Sequence, residues 1–105
     1  MNISILYVVC GSEDEARRIG RALVEARLAA CCNAIPGMES VYRWEGAVHT
    51  ARETVLIVKT RTAHIGAATD MIKALHSYKM PCVLPLAVRE GGNSDYSTWI
   101  EAETA

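Results

Sequence analysis

Four cysteines and three histidines are the side chains of this sequence best suited to hold a metal or attack a substrate. Cys10, Cys31, Cys32 and Cys82 contain no C-x-x-C pair, so the spacing of a zinc ribbon is absent. His49, His64 and His76 are well separated, and no Ser-His-Asp or Cys-His nucleophile arrangement can be read from spacing. Gly91-Gly92 follows an apolar run but lacks the rest of a phosphate-cradling loop. Any chemistry therefore depends on which of these groups the fold brings together.

At 105 residues the expectation is a single domain, 1–105, with a modest core. Half of the residues are hydrophobic, which argues against disorder. The net charge is −1 with both signs scattered, whereas a nucleic-acid surface needs clustered Lys and Arg. No apolar stretch approaches membrane-spanning length. Met1-Asn2 carries no basic leader region, and the first apolar run ends in Gly-Ser-Glu-Asp-Glu instead of a cleavage site. The expectation is a cytoplasmic protein with reduced thiols.

The elements that must position the candidate groups follow from pattern. Residues 3–9 are apolar on both alternating faces, as in a central strand covered on both sides. Ser12 with Glu15 three positions later is a capping box, opening a helix over about 13–28. Its face carries Ala16, Ile19, Ala22, Leu23 and Ala26. The arginines of this helix read as a solvated face. A second strand begins near Ala30, and Pro36-Gly37 predicts a bulge or bend in it. Glu45-Gly46 supplies a tight hairpin turn, and Val55 to Val58 read as a central run. Thr62 is the expected N-cap of a second helix, which ends near His76-Ser77-Tyr78. A last strand over 82–89 contains Pro85, pointing to an edge position or a bulge. Asn93-Ser94-Asp95 caps a short terminal helix carrying Tyr96, Trp99 and Ile100.

The order β-α-β-β-α-β plus a helix is the split βαβ, an α+β ferredoxin-like fold with two helices on one face of an antiparallel sheet. The hairpin is long for it. Residues 47–60 span roughly 46 Å at about 3.3 Å per residue, against a radius of gyration of ~13 Å for a chain of this size. Either the arm bends and breaks, or its far end lies against another subunit. Three common occupants of the fold lack their marks here. An acylphosphatase-like enzyme needs a phosphate loop after the first strand. A metallochaperone needs C-x-x-C where only Cys10 stands, and an RNA-recognition domain needs stacking aromatics and a basic balance.

Several words in register, ARLAACCNAIPG, SVYRWEGAV, ETVLIVKT, HSYKMPCVLPLAV and DYSTWI, resemble the CutA family of divalent-cation tolerance proteins over nearly the whole chain. The resemblance implies a tight homotrimer similar in plan to PII signalling proteins, with hairpin strands joining edge to edge and clefts between subunits. It implies an association with copper or another divalent cation, not required for folding, and no established enzymatic activity. Cys10 and His76 match positions linked to copper in the family. A thiolate with an imidazole is a soft pair, and the competing reading is a buried apolar thiol and a histidine at a helix C-terminus. The usual His-Pro-Tyr reads His76-Ser77-Tyr78 here, and an acidic residue is replaced by Cys82, a third candidate metal ligand that would favour monovalent copper. Trp44, Glu53, Lys59, Tyr78 and Trp99 match the intersubunit cleft, with Glu53 and Lys59 on one strand face. They read either as a pocket for a small polar ligand or as interface packing. Cys31-Cys32 reads as strand packing instead of a redox pair.

Overall fold

The computed structural model describes residues 2–105. The elements are β1 (Ile3–Cys10), α1 (Glu13–Glu25), β2 (Cys31–Trp44), β3 (Ala47–Arg61), a 3₁₀ turn (Thr62–His64), α2 (Ile65–Leu75), β4 (Val83–Ala87) and α3 (Ser94–Glu103). The strands form one antiparallel sheet in the order β2-β3-β1-β4. This is the expected ferredoxin-like α+β arrangement. Pro85 lies in an edge strand, as its missing N–H requires.

The core forms where α1 and α2 meet one face of the sheet. Leu6, Val8 and Cys10 of β1 alternate inward with Leu56 and Val58 of β3, against Ala16, Ile19, Leu23, Ala68 and Ile72. Each large apolar side chain buried here contributes about 1.5–3 kcal/mol. Cys32 also packs against this core, while its neighbour Cys31 occupies the other face, because successive strand residues alternate. The two thiols thus face opposite sides of the sheet, and of the pair only Cys32 packs on this core. Burial pushes the Cys32 thiol up to about 12.

Three boundaries differ from the sequence pattern. The first helix stops at Glu25 instead of near 28. Arg27 turns left-handed at φ 60°, the Leu28 N–H reaches Leu23 O at 2.9 Å, and the Arg27 N–H reaches Val24 O at 3.0 Å. That Schellman cap reverses the chain and drops Leu28 onto the core. Thr62 does not cap the second helix. Its hydroxyl bonds Ser4 Oγ at 2.8 Å on the adjacent strand, and a 3₁₀ turn intervenes before α2. The last strand is shorter than expected, Val83–Ala87.

The hairpin arm does not break. β2 and β3 pair from Cys31↔Lys59 to Trp44↔Ala47, with a bulge between Ile35 and Met38 at the expected Pro36-Gly37. β1 pairs with β3 only as far as Thr54, so the hairpin beyond it is two-stranded. The turn places Glu45 at φ 49° and Gly46 at φ 80°, both left-handed as a type I′ hairpin demands. The molecule is correspondingly elongated, 44 × 27 × 22 Å. Val41 and Val48 on the projecting arm are 68% and 63% exposed. The strand expected to be covered on both sides is covered by helices on one side within this chain, leaving Ile5, Tyr7 and Val9 half-buried.

The terminal helix closes a second, smaller cluster in which Ile100 meets Ile3 and Ala30. Donor side chains from three other segments reach its C-terminal end. Arg61 bonds Thr104 Oγ1 at 3.0 Å, Arg27 reaches Ala102 O at 3.3 Å, and His64 Nε2 donates to Thr104 O at 2.7 Å. Each meets the negative end of the helix dipole.

Candidate functional site

Two of the three predicted metal ligands come together. Cys10 ends β1, and His76 follows α2 as an extended residue at ψ 143°. One ligand atom each from Cys10, Glu15 and His76 lie within 4.8 Å of one another. Cys82 is not a member of that group. It lines a neighbouring cavity, and its thiol faces Tyr7 O at 3.9 Å.

Glu15 is the residue that sequence reasoning missed as a site group. Its spacing from Ser12 marks it only as half of a capping box. The Glu15 N–H does bond Ser12 Oγ at 3.1 Å. Its carboxylate, however, accepts from the Gly11 N–H at 2.9 Å and from the Ser77 N–H at 2.8 Å, joining the start of α1 to the segment after α2. The local signal was present in Ser-x-x-Glu. The Ser77 partner, 62 residues away, was not readable from spacing.

Hydrogen bonding fixes the tautomer of His76. The Tyr78 N–H donates to Nδ1 at 3.0 Å, so Nε2 carries the proton and donates to Val9 O at 2.8 Å. Nε2 also stands 3.8 Å from Glu15 Oε1. Arg18 adds a positive charge 3.9 Å from the Glu15 carboxylate and bonds Leu75 O at the end of α2. Burial raises the carboxyl of Glu15, but hydrogen bonds from Ser77 and Gly11 and the nearby His76 outweigh it, and the net direction is downward. Burial, then the Glu15 carboxylate, pushes the Cys10 thiol up to about 11.

The predicted cleft residues separate into two groups within one chain. Trp44, Glu53 and Tyr78 line a cavity of about 580 Å³ together with Val9, Met80 and Cys82. The Tyr78 hydroxyl donates to Glu53 Oε2 at 2.7 Å. Burial and this carboxylate push the phenol well above its usual range. Lys59 lies farther along the same face of β3, where its ammonium bonds the Tyr96 hydroxyl at 3.3 Å and sits over that ring. Trp99 packs on Tyr96 with ring centroids 5.3 Å apart. Glu53 and Lys59 share a strand face, as their even spacing predicts, but have separate partners.

These features define a class, a ferredoxin-like α+β protein with a thiol, carboxylate and imidazole gathered beside an open cleft. The pattern described as "CutA1 divalent ion tolerance protein" matches residues 4–103. The divalent-cation tolerance protein CutA of Thermus thermophilus is 42% identical over 100 residues, covering 95% of this chain and 96% of that protein. The chloroplastic rice protein CutA 1 is 40% identical, and its match covers 95% of this chain but 56% of the longer rice protein. The crystal structure of CutA from Xylella fastidiosa superposes with a TM-score of 0.96 at 36% identity, covering 100% of both chains. The chain belongs to the CutA family of divalent-cation tolerance proteins.

Proposed function

We propose that this chain is one subunit of a cytoplasmic homotrimer that serves the response to divalent metal ions. It does so by binding copper or another ion or small ligand in or near the clefts between subunits, without catalysis. The Cys10–Glu15–His76 group beside the 580 Å³ cavity is the observation that carries this reading. Sulfur, imidazole nitrogen and carboxylate oxygen form a donor set suited to copper, and in type and spacing the three residues fit such an ion, whose binding would displace the Nε2 proton now bonded to Val9 O. An ion held there supplies a positive charge; the chain's part is to present the donors and exclude water. The name of the Thermus thermophilus relative, a divalent-cation tolerance protein, agrees with this. Four free thiols favour a reducing compartment.

Assembly is supported by what a single chain leaves uncovered. Ile35, Leu84 and Leu86 stand exposed along the sheet face opposite the helices, and the projecting arm is a two-stranded ribbon with apolar tips. Ribbons of two strands are marginal alone, and open strand edges invite pairing. Native mass spectrometry at micromolar concentration is expected to show trimers; a stable monomer would remove the cleft from the proposal.

A second reading has its own observation. Both nitrogens of His76 and both oxygens of Glu15 already serve hydrogen bonds, so the group works as an internal brace. The trimer would then be a scaffold for a partner protein, with incidental metal binding. Calorimetric copper titration under reducing conditions separates the two. Cys10→Ala and His76→Gln are each expected to weaken binding at least tenfold, and unchanged affinity in both would leave the scaffold reading. Cys82→Ala reports whether the cavity thiol shares the ion; an affinity equal to that of the unmodified protein would exclude it.

A further inference from the structure

We propose that Tyr78 is the gate of the Cys10–Glu15–His76 group and that Glu53 is its latch, an assignment that rests on the metal-binding reading above for its purpose but not for its test. The group is sealed. Cys10 is fully buried and the His76 ring has no exposed surface. Tyr78 stands between it and the cavity. Its backbone N–H holds His76 Nδ1, its ring packs on the imidazole with centroids 4.8 Å apart, and its hydroxyl edge covers Gly11. A Cβ at Gly11 would lie 3.2 Å from that hydroxyl, so the absence of a side chain there lets the ring close down. The other side of the same ring faces the cavity that Glu53 and Cys82 also line.

One hydrogen bond holds the ring in place from outside, the 2.7 Å contact from the Tyr78 hydroxyl to Glu53 Oε2. Glu53 belongs to the hairpin, whereas Tyr78 belongs to the loop after α2, so the latch joins two segments 25 residues apart. Turning Tyr78 outward exposes the imidazole and the thiol together. Any group in the cavity that takes the Glu53 carboxylate frees the ring, which makes exposure of the donors depend on what the cavity holds.

Alkylation of Cys10 by iodoacetamide, followed by mass mapping of the peptide that carries it, tests the gate in the intact protein without any metal. Tyr78→Phe and Glu53→Ala are each expected to speed labelling of Cys10 by about tenfold, the change expected from losing one hydrogen bond to a charged group. Glu53→Gln, whose side-chain oxygen still accepts, is expected to stay within about threefold of the natural protein. Amide exchange at Leu6 and Val8 in β1 reports global unfolding and is expected to change much less. Unchanged labelling in both variants overturns the proposal, as does a rise that core exchange matches or a glutamine variant no slower than alanine. Should one variant fail to fold, the other decides. A failed copper titration would leave the gate standing, and a failed labelling experiment would leave the metal reading standing.

Discussion

Glu15 offers a test in which stability and pH dependence must agree. Its carboxylate is 6% exposed and accepts the Gly11 and Ser77 N–H groups at 2.9 and 2.8 Å. Glu15→Ala orphans both donors. A hydrogen bond to a charged group contributes about 1.5–3 kcal/mol, and because Gly11 lies at the surface the lower figure applies, giving a loss of about 3 kcal/mol. Glu15→Gln keeps one acceptor oxygen but turns its NH₂ toward the second N–H, and about 2 kcal/mol is expected. Against a domain stability of about 5–15 kcal/mol either change is large. The carboxyl is held below its ordinary value of 4.5 in the folded protein, so on acidification the unfolded chain takes up the proton first. The contribution of Glu15 is therefore fully present above that value and is lost as pH falls below it. Urea denaturation at fixed protein concentration, from pH 7 to pH 3, should show the glutamine variant's deficit shrinking across the acidic limb. A deficit below about 0.5 kcal/mol at pH 7, or one that stays flat to pH 3, would refute the reasoning.

Two further substitutions probe the frame. Gly20→Ala normally gains up to about 1 kcal/mol in a helix interior, but its Cβ would lie 3.1 Å from Cys32 Cβ and 3.4 Å from Leu56 Cδ1. Overpacking costs about 1–3 kcal/mol, so a net loss near 1 kcal/mol is expected in urea titration, and a gain would contradict the packing argument. Glu45 sits at φ 49° in the hairpin turn and makes no hydrogen bond or ion pair among the described residues. Glu45→Asn should raise stability by about 0.5 kcal/mol, because asparagine tolerates the left-handed region that a type I′ turn requires; a lower denaturation midpoint would count against that turn type.

The sequence made the fold legible where short-range physics decides it. Runs apolar on both faces wrote β1 and the inner part of β3, the Ser12–Glu15 box wrote the start of α1, and Pro36-Gly37 wrote the bulge. Long-range partners overruled local signals elsewhere. Thr62 has the side chain of a helix cap but finds Ser4, 58 residues earlier. The pattern of α1 runs past Glu25, yet the chain turns back at Arg27 so that Leu28 can reach the core. The site was legible as residue identities through family resemblance, which paired Cys10 with His76. It did not supply Glu15, nor did it separate Cys82 from that pair or divide Glu53 from Lys59. Those depend on which loop folds over which strand end, and spacing along the chain carries no such information.

The bulge between Ile35 and Met38 lies across from the place where β1 stops, at the Cys10↔Thr54 pair. An irregularity in one strand and the loss of a neighbour on the other thus coincide, and the first regular pair beyond them is Met38↔Glu53. The hairpin is thus two spans, one braced by β1 as a third strand and one of two strands alone. Glu53 stands at the first regular pair of the unbraced span with its carboxylate on the Tyr78 hydroxyl, so the arm is tied to the loop after α2 just where the third strand ends.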